Sequence, residues 1–381
     1  MTRHPNLLGR TRSPQQGLSL LWGSALLLVL LVACFPEPDV RPDLVRVVVG
    51  PTGDGRDCTQ ADLAFRPDEL VVTFIDVGQG DAIWIRTPND GVPNNGVREG
   101  HNILIDAGDL GVLGRTDGGA IVTSFLLRNG LQPGDEIHTF LVTHPHSDHF
   151  GGYGAIFDTF AVRNVVDPGF EQGAPQSYFD FLARAEEETT RHGGSVFRPA
   201  IPRWVPQRYA RTTAWGTELD VQVLNSRATP NPEYASDQAN NASIVLRIGY
   251  AGRAFLLMGD AHWEIELEIE RDLGNLGVNL LKVGHHGSKT SSATTFLESS
   301  FSGVPFRERY AVIPAGRRTF SGVQHPNLET VLRIHDFVPF DHLYSTEHDD
   351  AHKEELEAPD DDHILFVIDG RGRMRACYWR Q

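Results

Sequence analysis

From residue 70 onward, short apolar runs alternate with glycine-containing turn signals, the pattern of a mixed α/β domain. Residues 71–75 form a β-rich run, Gly78-Gln79-Gly80-Asp81 turns the chain, and residues 82–86 return it as a second strand. Residues 103–105 make a short apolar strand that stops at Asp106-Ala107-Gly108. Residues 121–128 carry helical spacing and stop at Asn129-Gly130. A strand over 139–142 then runs directly into a cluster of histidines. Ser177 is placed to cap a helix with Tyr178, Phe181, Leu182 and Ala185 on one face, ending at His192-Gly193-Gly194. Residues 219–224 alternate as a strand, 243–248 and 254–258 read as an antiparallel pair, and 278–283 give another strand. Between them, Trp263, Ile265, Leu267 and Ile269 recur with period two. Glutamates fill the gaps and Gly274 is a C-terminal stop, so length and propensity decide for a helix. A late helix spans 328–335, and 364–368 with 374–378 close the chain as a hairpin around Gly370-Arg371-Gly372.

The first 69 residues read differently. Arg3, Arg10 and Arg12 precede an apolar run over 18–32 that is short for a membrane span and ends in small residues, the layout of an export signal. It closes on Leu31-Val32-Ala33-Cys34, which resembles the bacterial lipoprotein processing motif. That resemblance implies cleavage before Cys34, acylation of its sulfur, and stable anchoring without a transmembrane helix. The chain is therefore expected to divide into a signal peptide (1–33), a tether (34–69) with a short strand at 44–49, and one large domain (70–381). The expected location is outside the cytoplasm, facing the periplasm or the cell surface, with the membrane met through the lipid alone. There Cys58 and Cys377 could pair as a disulfide, tying the start of the domain to its end, or stay as two separate thiols.

Composition narrows the function classes. Hydrophobic residues make up 40% and charged residues 22% of the 381, the balance of a globular chain with a real core. The formal net charge is −16, and loss of the three signal arginines takes it to −19. Such a surface repels polyanions and argues against non-specific nucleic-acid binding through many phosphate contacts. One stretch could still guide a single strand: Arg198, Arg203, Arg208 and Arg211 interleave with Trp204, Tyr209 and Trp215. A proline-interrupted loop whose aromatics pack on the domain explains the same residues and is the favoured reading.

The chemistry concentrates at Thr143-His144-Pro145-His146-Ser147-Asp148-His149-Phe150-Gly151-Gly152. Three imidazoles and a carboxylate within six positions are costly to hold together without a purpose, and they are ligands that Zn²⁺, Mn²⁺ and Fe²⁺ accept. Asp106, Asp260 and the neighbours His285 and His286 each follow an apolar strand, where loops anchored on a rigid sheet collect a site.

Six ordered pieces now carry a resemblance. They are Phe74-Ile75-Asp76-Val77-Gly78-Gln79-Gly80-Asp81-Ala82, Leu104-Ile105-Asp106-Ala107-Gly108, the histidine cluster, Asn240-Asn241-Ala242-Ser243-Ile244-Val245-Leu246-Arg247, Met258-Gly259-Asp260, and Leu281-Lys282-Val283-Gly284-His285-His286-Gly287-Ser288. Over residues 71–331 the chain resembles the metallo-β-lactamase superfamily, and more narrowly the extracytoplasmic hydrolase domain of ComEC-type DNA-uptake proteins. The resemblance implies an α/β fold, a four-layer αββα sandwich with metals at one edge. It implies that His144 and His146 hold a first metal, that Asp148 and His149 hold a second with His285 or His286, and that Asp260 bridges both. Asp76 and Asp106 look like supports. Two divalent ions are implied, zinc or alternatively manganese, with a metal-bridging hydroxide as the attacking group and Asp148 among the catalytic residues. His325 could protonate a leaving group, and Arg317 or Arg318 could contact phosphate.

The implied function is a phosphodiesterase or nuclease with DNA or another phosphodiester as substrate; no protein partner is indicated. The alternatives are a metallo-hydrolase of a non-phosphate ester, lactone or lactam, and a catalytically silent binding protein of the same fold. Three departures bear on the choice. Only His192 lies where many superfamily members supply a third histidine to the first metal. Arginines replace asparagines in the loop before His325. The helices of a DNA channel have no counterpart, so a standalone hydrolase domain is expected.

Overall fold

The computed structural model describes residues 56–92, 98–111, 116–199, 207–208, 215–216, 218–234, 237–316, 319–320, 323–347 and 360–380. The export signal, Cys34, the 44–49 strand, Arg203, Trp204, Tyr209, Arg211, Arg317 and Arg318 lie outside the described residues.

A short helix α1 (Gln60–Leu63) opens the described chain, capped by the Thr59 side chain. Strand β1 (Leu70–Phe74) follows, then β2 (Ile83–Arg86), β3 (Asn102–Ile105) and helix α2 (Gly118–Arg128). Next come β4 (Glu136–Leu141), α3 (Ser147–Phe150), α4 (Tyr153–Thr159), β5 (Ala161–Val166), α5 (Gln176–Arg191) and β6 (Ser195–Phe197). The second half contains β7 (Gln207–Arg208), β8 (Asp220–Asn225), α6 (Gln238–Asn241), β9 (Val245–Tyr250), β10 (Arg253–Leu257) and α7 (Trp263–Leu273). It continues with β11 (Leu280–Lys282), α8 (Thr294–Ser300), β12 (Tyr310–Ile313), a small hairpin β13 (Thr319–Phe320) and β14 (Val323–Gln324), and α9 (Leu328–His335). Strands β15 (Leu343–Ser345), β16 (His363–Ile368) and β17 (Met374–Trp379) complete it.

The long strands build two mixed sheets, ordered β17-β16-β1-β2-β3-β4-β5-β6 and β15-β12-β11-β10-β9-β8-β7. Three apolar layers hold them. One packs α2, α4 and α5 on the outer face of the first sheet, one fills the space between the sheets, and one packs α7, α8 and α9 on the outer face of the second. This is the expected αββα sandwich. It explains why β1 is buried at every position: Val71 faces the outer layer while Leu70, Val72 and Phe74 face the inner one.

Several sequence expectations shift by a residue or two. Helix α2 begins at Gly118 rather than 121, with Asp117 accepting from the Ala120 N–H as its cap. Glycine is needed there: a Cβ on Gly119 would meet backbone of Gly152 at 2.6 Å. Pro175, not Ser177, takes the cap position of α5. The segment from Trp263 is helical, as propensity predicted, and stops at Gly274 with φ 65°. Trp215 is fully buried and donates to Thr139, and Arg198 pairs with Asp167, so this part of the arginine–aromatic stretch packs on the sandwich. Cys58 and Cys377 are bonded, with Cα atoms 5.1 Å apart, fastening the segment before α1 to β17. Among the described residues, no helix is long and apolar enough to cross a membrane.

Candidate metal centre

The ends of β1, β3, β4, β10 and β11 converge on one edge of the sandwich, and each delivers a polar side chain. The histidine cluster arrives from β4 through Thr143 and passes into α3, with His146 at its N-cap. The turn after β1 abuts it: Asp81 N–H donates to the Asp148 carbonyl, and a Cβ on Gly80, at φ 133°, would lie 2.3 Å from that oxygen. Only glycine lets the Gly78–Asp81 turn reach the cluster.

Asp260 Oδ2 sits at the centre. His149 Nε2 and His286 Nε2 each lie 3.2 Å from it, and His144 Nε2 lies 3.7 Å away. Asp148 Oδ2 is 3.5 Å from His286 Nε2 and 4.0 Å from His149 Nε2, and His146 Nδ1 is 3.1 Å from His144 Nε2. Ligand atoms around a tetrahedral ion at ~2.1 Å lie roughly 3.4 Å apart, so these separations match a shared coordination shell. Among the described residues three donor triplets lie close enough to share an ion, His144–His149–Asp260, Asp148–His149–His286 and Asp81–Asp106–His149. His286 Nε2 and Asp260 Oδ1 are buried and make no hydrogen bond, a deficit that a cation would remove. The donor set therefore fits a divalent metal.

The site separates the two adjacent histidines. His286 points at Asp260 and Asp148, and its Nδ1 is fixed 2.9 Å from the Pro314 carbonyl. His285 turns away, with Nδ1 at 2.9 Å from Thr290 Oγ1 and 3.1 Å from His262 Nε2. His286 is thus the one that could hold a metal. Asp106 supports without reaching the centre. It accepts from Thr143 N–H and Oγ1, both at 2.7 Å, and lies 2.8 Å from His149 Nδ1, which fixes the ring. Asp76 accepts from Gly78 N–H and so shapes the turn that carries Asp81. His325 is brought to the rim, its ring 5.4 Å from that of His285 and 6.5 Å from that of His286. His192 is not brought in; it pairs with Glu188 at the end of α5.

The electrostatics divide the imidazoles into two groups. Burial pushes His144 well below its ordinary value, His285 down to about 3 and His325 down to about 4. His149 and His286 run the other way: burial opposes both shifts, but Asp260, Asp106 and Asp148 carry His149 well above its ordinary value, and Asp260, Asp148 and Asp81 carry His286 up to about 10.

Sequence reasoning missed four contributors. Lys282 is fully buried, pairs with Asp81, donates to the Gly259 carbonyl at 2.8 Å and lies 3.7 Å from Asp260 Oδ1. The signal was a lysine inside an otherwise apolar strand; Asp81 was hidden in a turn motif. His262 occupies the N-cap position of α7 without capping it, and its Nε2 lies 3.0 Å from Asn240 Nδ2, lining the side where Asp237 stands 3.8 Å from His146 Nε2.

Fold and donor set together define a metal-dependent hydrolase of the metallo-β-lactamase type. Residues 76–300 match the model of the metallo-beta-lactamase superfamily, and the chain belongs to that superfamily. It is 26% identical over 281 residues to ComE operon protein 3 of Bacillus subtilis, covering 69% of this chain and 30% of that protein. It is 28% identical over 278 residues to competence protein ComA of Neisseria gonorrhoeae, covering 71% and 31%. The chain thus spans about a third of the length of these curated relatives. Among solved structures it is similar to the metallo-beta-lactamase fold protein YhfI of Bacillus subtilis, at 11% identity and a TM-score of 0.36, covering 73% of this chain and 95% of that one.

Proposed function

We propose that the protein is a phosphodiesterase or nuclease acting outside the cytoplasm, with two divalent ions, zinc or manganese, at this edge. The observation that carries the metal chemistry is Asp260 Oδ2 facing three imidazole nitrogens within 3.7 Å. In this reading His144 and His146 would hold one ion, Asp148, His149 and His286 would hold the other, and Asp260 would serve both. Bound there, the ions would acidify a water and neutralise charge on the transferred group, which suits a phosphodiester. The chain's own residues prepare this. Asp106 and the Pro314 carbonyl set the rings of His149 and His286, and Lys282 offsets Asp81. His325, neutral at pH 7, can take up a proton at the rim and give it to the leaving oxygen. The likeness to competence proteins favours a phosphodiester over a lactam or lactone. The Cys58–Cys377 bond suits an oxidising compartment, and the signal and Cys34 supply a lipid anchor facing the periplasm or cell surface.

The test offers the purified full chain a chromogenic phosphodiester, single-stranded DNA and a chromogenic lactam, with and without chelator. Phosphodiester turnover that disappears with chelator and in Asp260→Asn is expected. Lactam turnover alone would move the protein to the second class, and tight metal binding with no turnover would make it a binding protein.

A further inference from the structure

At the end of the first sheet opposite the metal centre, a cavity of about 340 Å³ opens between the segment leading into β1 and the loop joining β2 to β3. Volumes of roughly 300 Å³ and above are those of small-molecule sites. At ~3.3 Å per residue, the five steps from His101 to Asp106 along β3 put it about 16 Å from the metal centre.

Its floor holds an arginine that the fold does not explain. Arg86 ends β2, and its guanidinium lies 4.0 Å from the Phe65 ring centroid and 5.0 Å from that of Trp84. Aromatic faces stabilise the cation, yet they leave its in-plane N–H groups without acceptors. Nε and Nη2, which form one edge of the fork, are buried and donate to nothing. Buried donors in that state carry a desolvation penalty that a ligand oxygen would remove. The one carboxylate lining the cavity is committed elsewhere: Glu69 binds Arg375 at 2.8 and 3.3 Å and accepts from Arg66 N–H at 2.8 Å.

The remaining lining is complementary to an anion. His101 Nε2 is buried and unpartnered, with its ring 4.1 Å from that of His138. The Arg66 side chain is exposed at the mouth, and Phe65, Pro67 and Val71 add apolar wall. In a chain of net charge −16, a cavity lined by two arginines, with its one acid already paired and burial holding His101 below its ordinary value, is a local inversion of sign. We propose that this cavity is a second ligand site, separate from the metal centre, that takes a small molecule through a single oxyanionic group, a carboxylate or a phosphate, received side-on by the Arg86 fork. Burial pulls the Arg86 guanidinium down to about 10 and so leaves it charged at neutral pH.

The experiment is thermal unfolding of the purified full chain in excess chelator, which removes phosphate binding at the metals. Inorganic phosphate and acetate are titrated separately against chloride at matched ionic strength. A saturable rise in Tm of roughly 2–4 °C is expected for one or both anions, and which of the two acts identifies the source of the oxyanion. The rise is expected to vanish in Arg86→Gln and to persist in Asp260→Asn. Absence of any rise over chloride, or an equal rise in Arg86→Gln, overturns the proposal. If Arg86→Gln does not fold, His101→Gln decides: a shift at least halved supports the site, and an unchanged shift overturns it.

Discussion

Replacing Lys282 with methionine tests whether the metal edge is held together by charge. The ammonium is fully buried against Asp81, whose side chain is 1% exposed. Once the ammonium is gone, Asp81 has, among the described residues, only His286 Nδ1 at 3.5 Å and His149 Nδ1 at 3.9 Å within ion-pair reach, and its Oδ1 already lacks a hydrogen bond. Methionine fills the volume, so the loss is electrostatic rather than a cavity. Removing one partner of a buried pair costs about 3–5 kcal/mol, because the other charge is left uncompensated. For a domain of this size, at ~2.1 cal/mol/K per residue, that is a fall in Tm of about 4–7 °C. Divalent metal at Asp260 and the neighbouring histidines supplies positive charge to the same carboxylates. The fall should therefore be full in excess chelator and at least halved with saturating zinc. Scanning calorimetry in both conditions reads this directly. Asp81→Asn in the Lys282→Met background should recover most of the loss, a coupling that a double-mutant cycle isolates. Equal losses with and without metal, or no recovery by Asp81→Asn, would show that Lys282 acts through packing and not as a counter-charge.

Two further outcomes follow from buried carboxyl groups. Asp106→Asn should weaken metal affinity about 10–100-fold, because it disturbs the ring of His149 without removing a donor to the ion; competition with a chromophoric chelator measures it, and unchanged affinity would refute the supporting role. Burial raises Glu266 from its ordinary 4.5 to about 7, against the backbone N–H groups of Ala293 and Ser292. The folded state then holds this proton more tightly than the unfolded chain, so stability is greatest below 4.5 and falls as pH rises to about 7, by about 3 kcal/mol from this group. Glu266→Gln should flatten that step in urea unfolding between pH 5 and pH 7.5, and an unaltered slope would contradict it.

The strands were legible because this architecture buries most of them on both faces, leaving short runs such as Leu280-Leu281 that end abruptly in glycine or polar residues. The centre was legible for the same reason: Asp106, His144, Asp260 and His286 all come just after such runs. What could not be read is which side chain faces inward within a turn. His285 and His286 both have positive φ, 46° and 50°, so neither strand nor helix periodicity carries through them. The Asp81–Lys282 pair was invisible because it joins the two sheets across 201 positions of sequence, and a lysine carries no metal-ligand signature. Ser177 failed as a cap because Pro175, with φ −70°, already sets the extended approach to α5.

The same pair bears on the charge of the edge. Asp81 and Asp260 lie within ion-pair reach of the one buried ammonium, and Asp106 and Asp148 complete four carboxylates there. Those carboxylates hold His149 and His286 above the ordinary imidazole value, so both rings are poised to carry a proton. An imidazole must give up that proton to become a ligand. A divalent ion bound at these rings would therefore take the place of protons, and its affinity should weaken as the pH falls, because the same carboxylates that attract the cation also hold the protons it must displace.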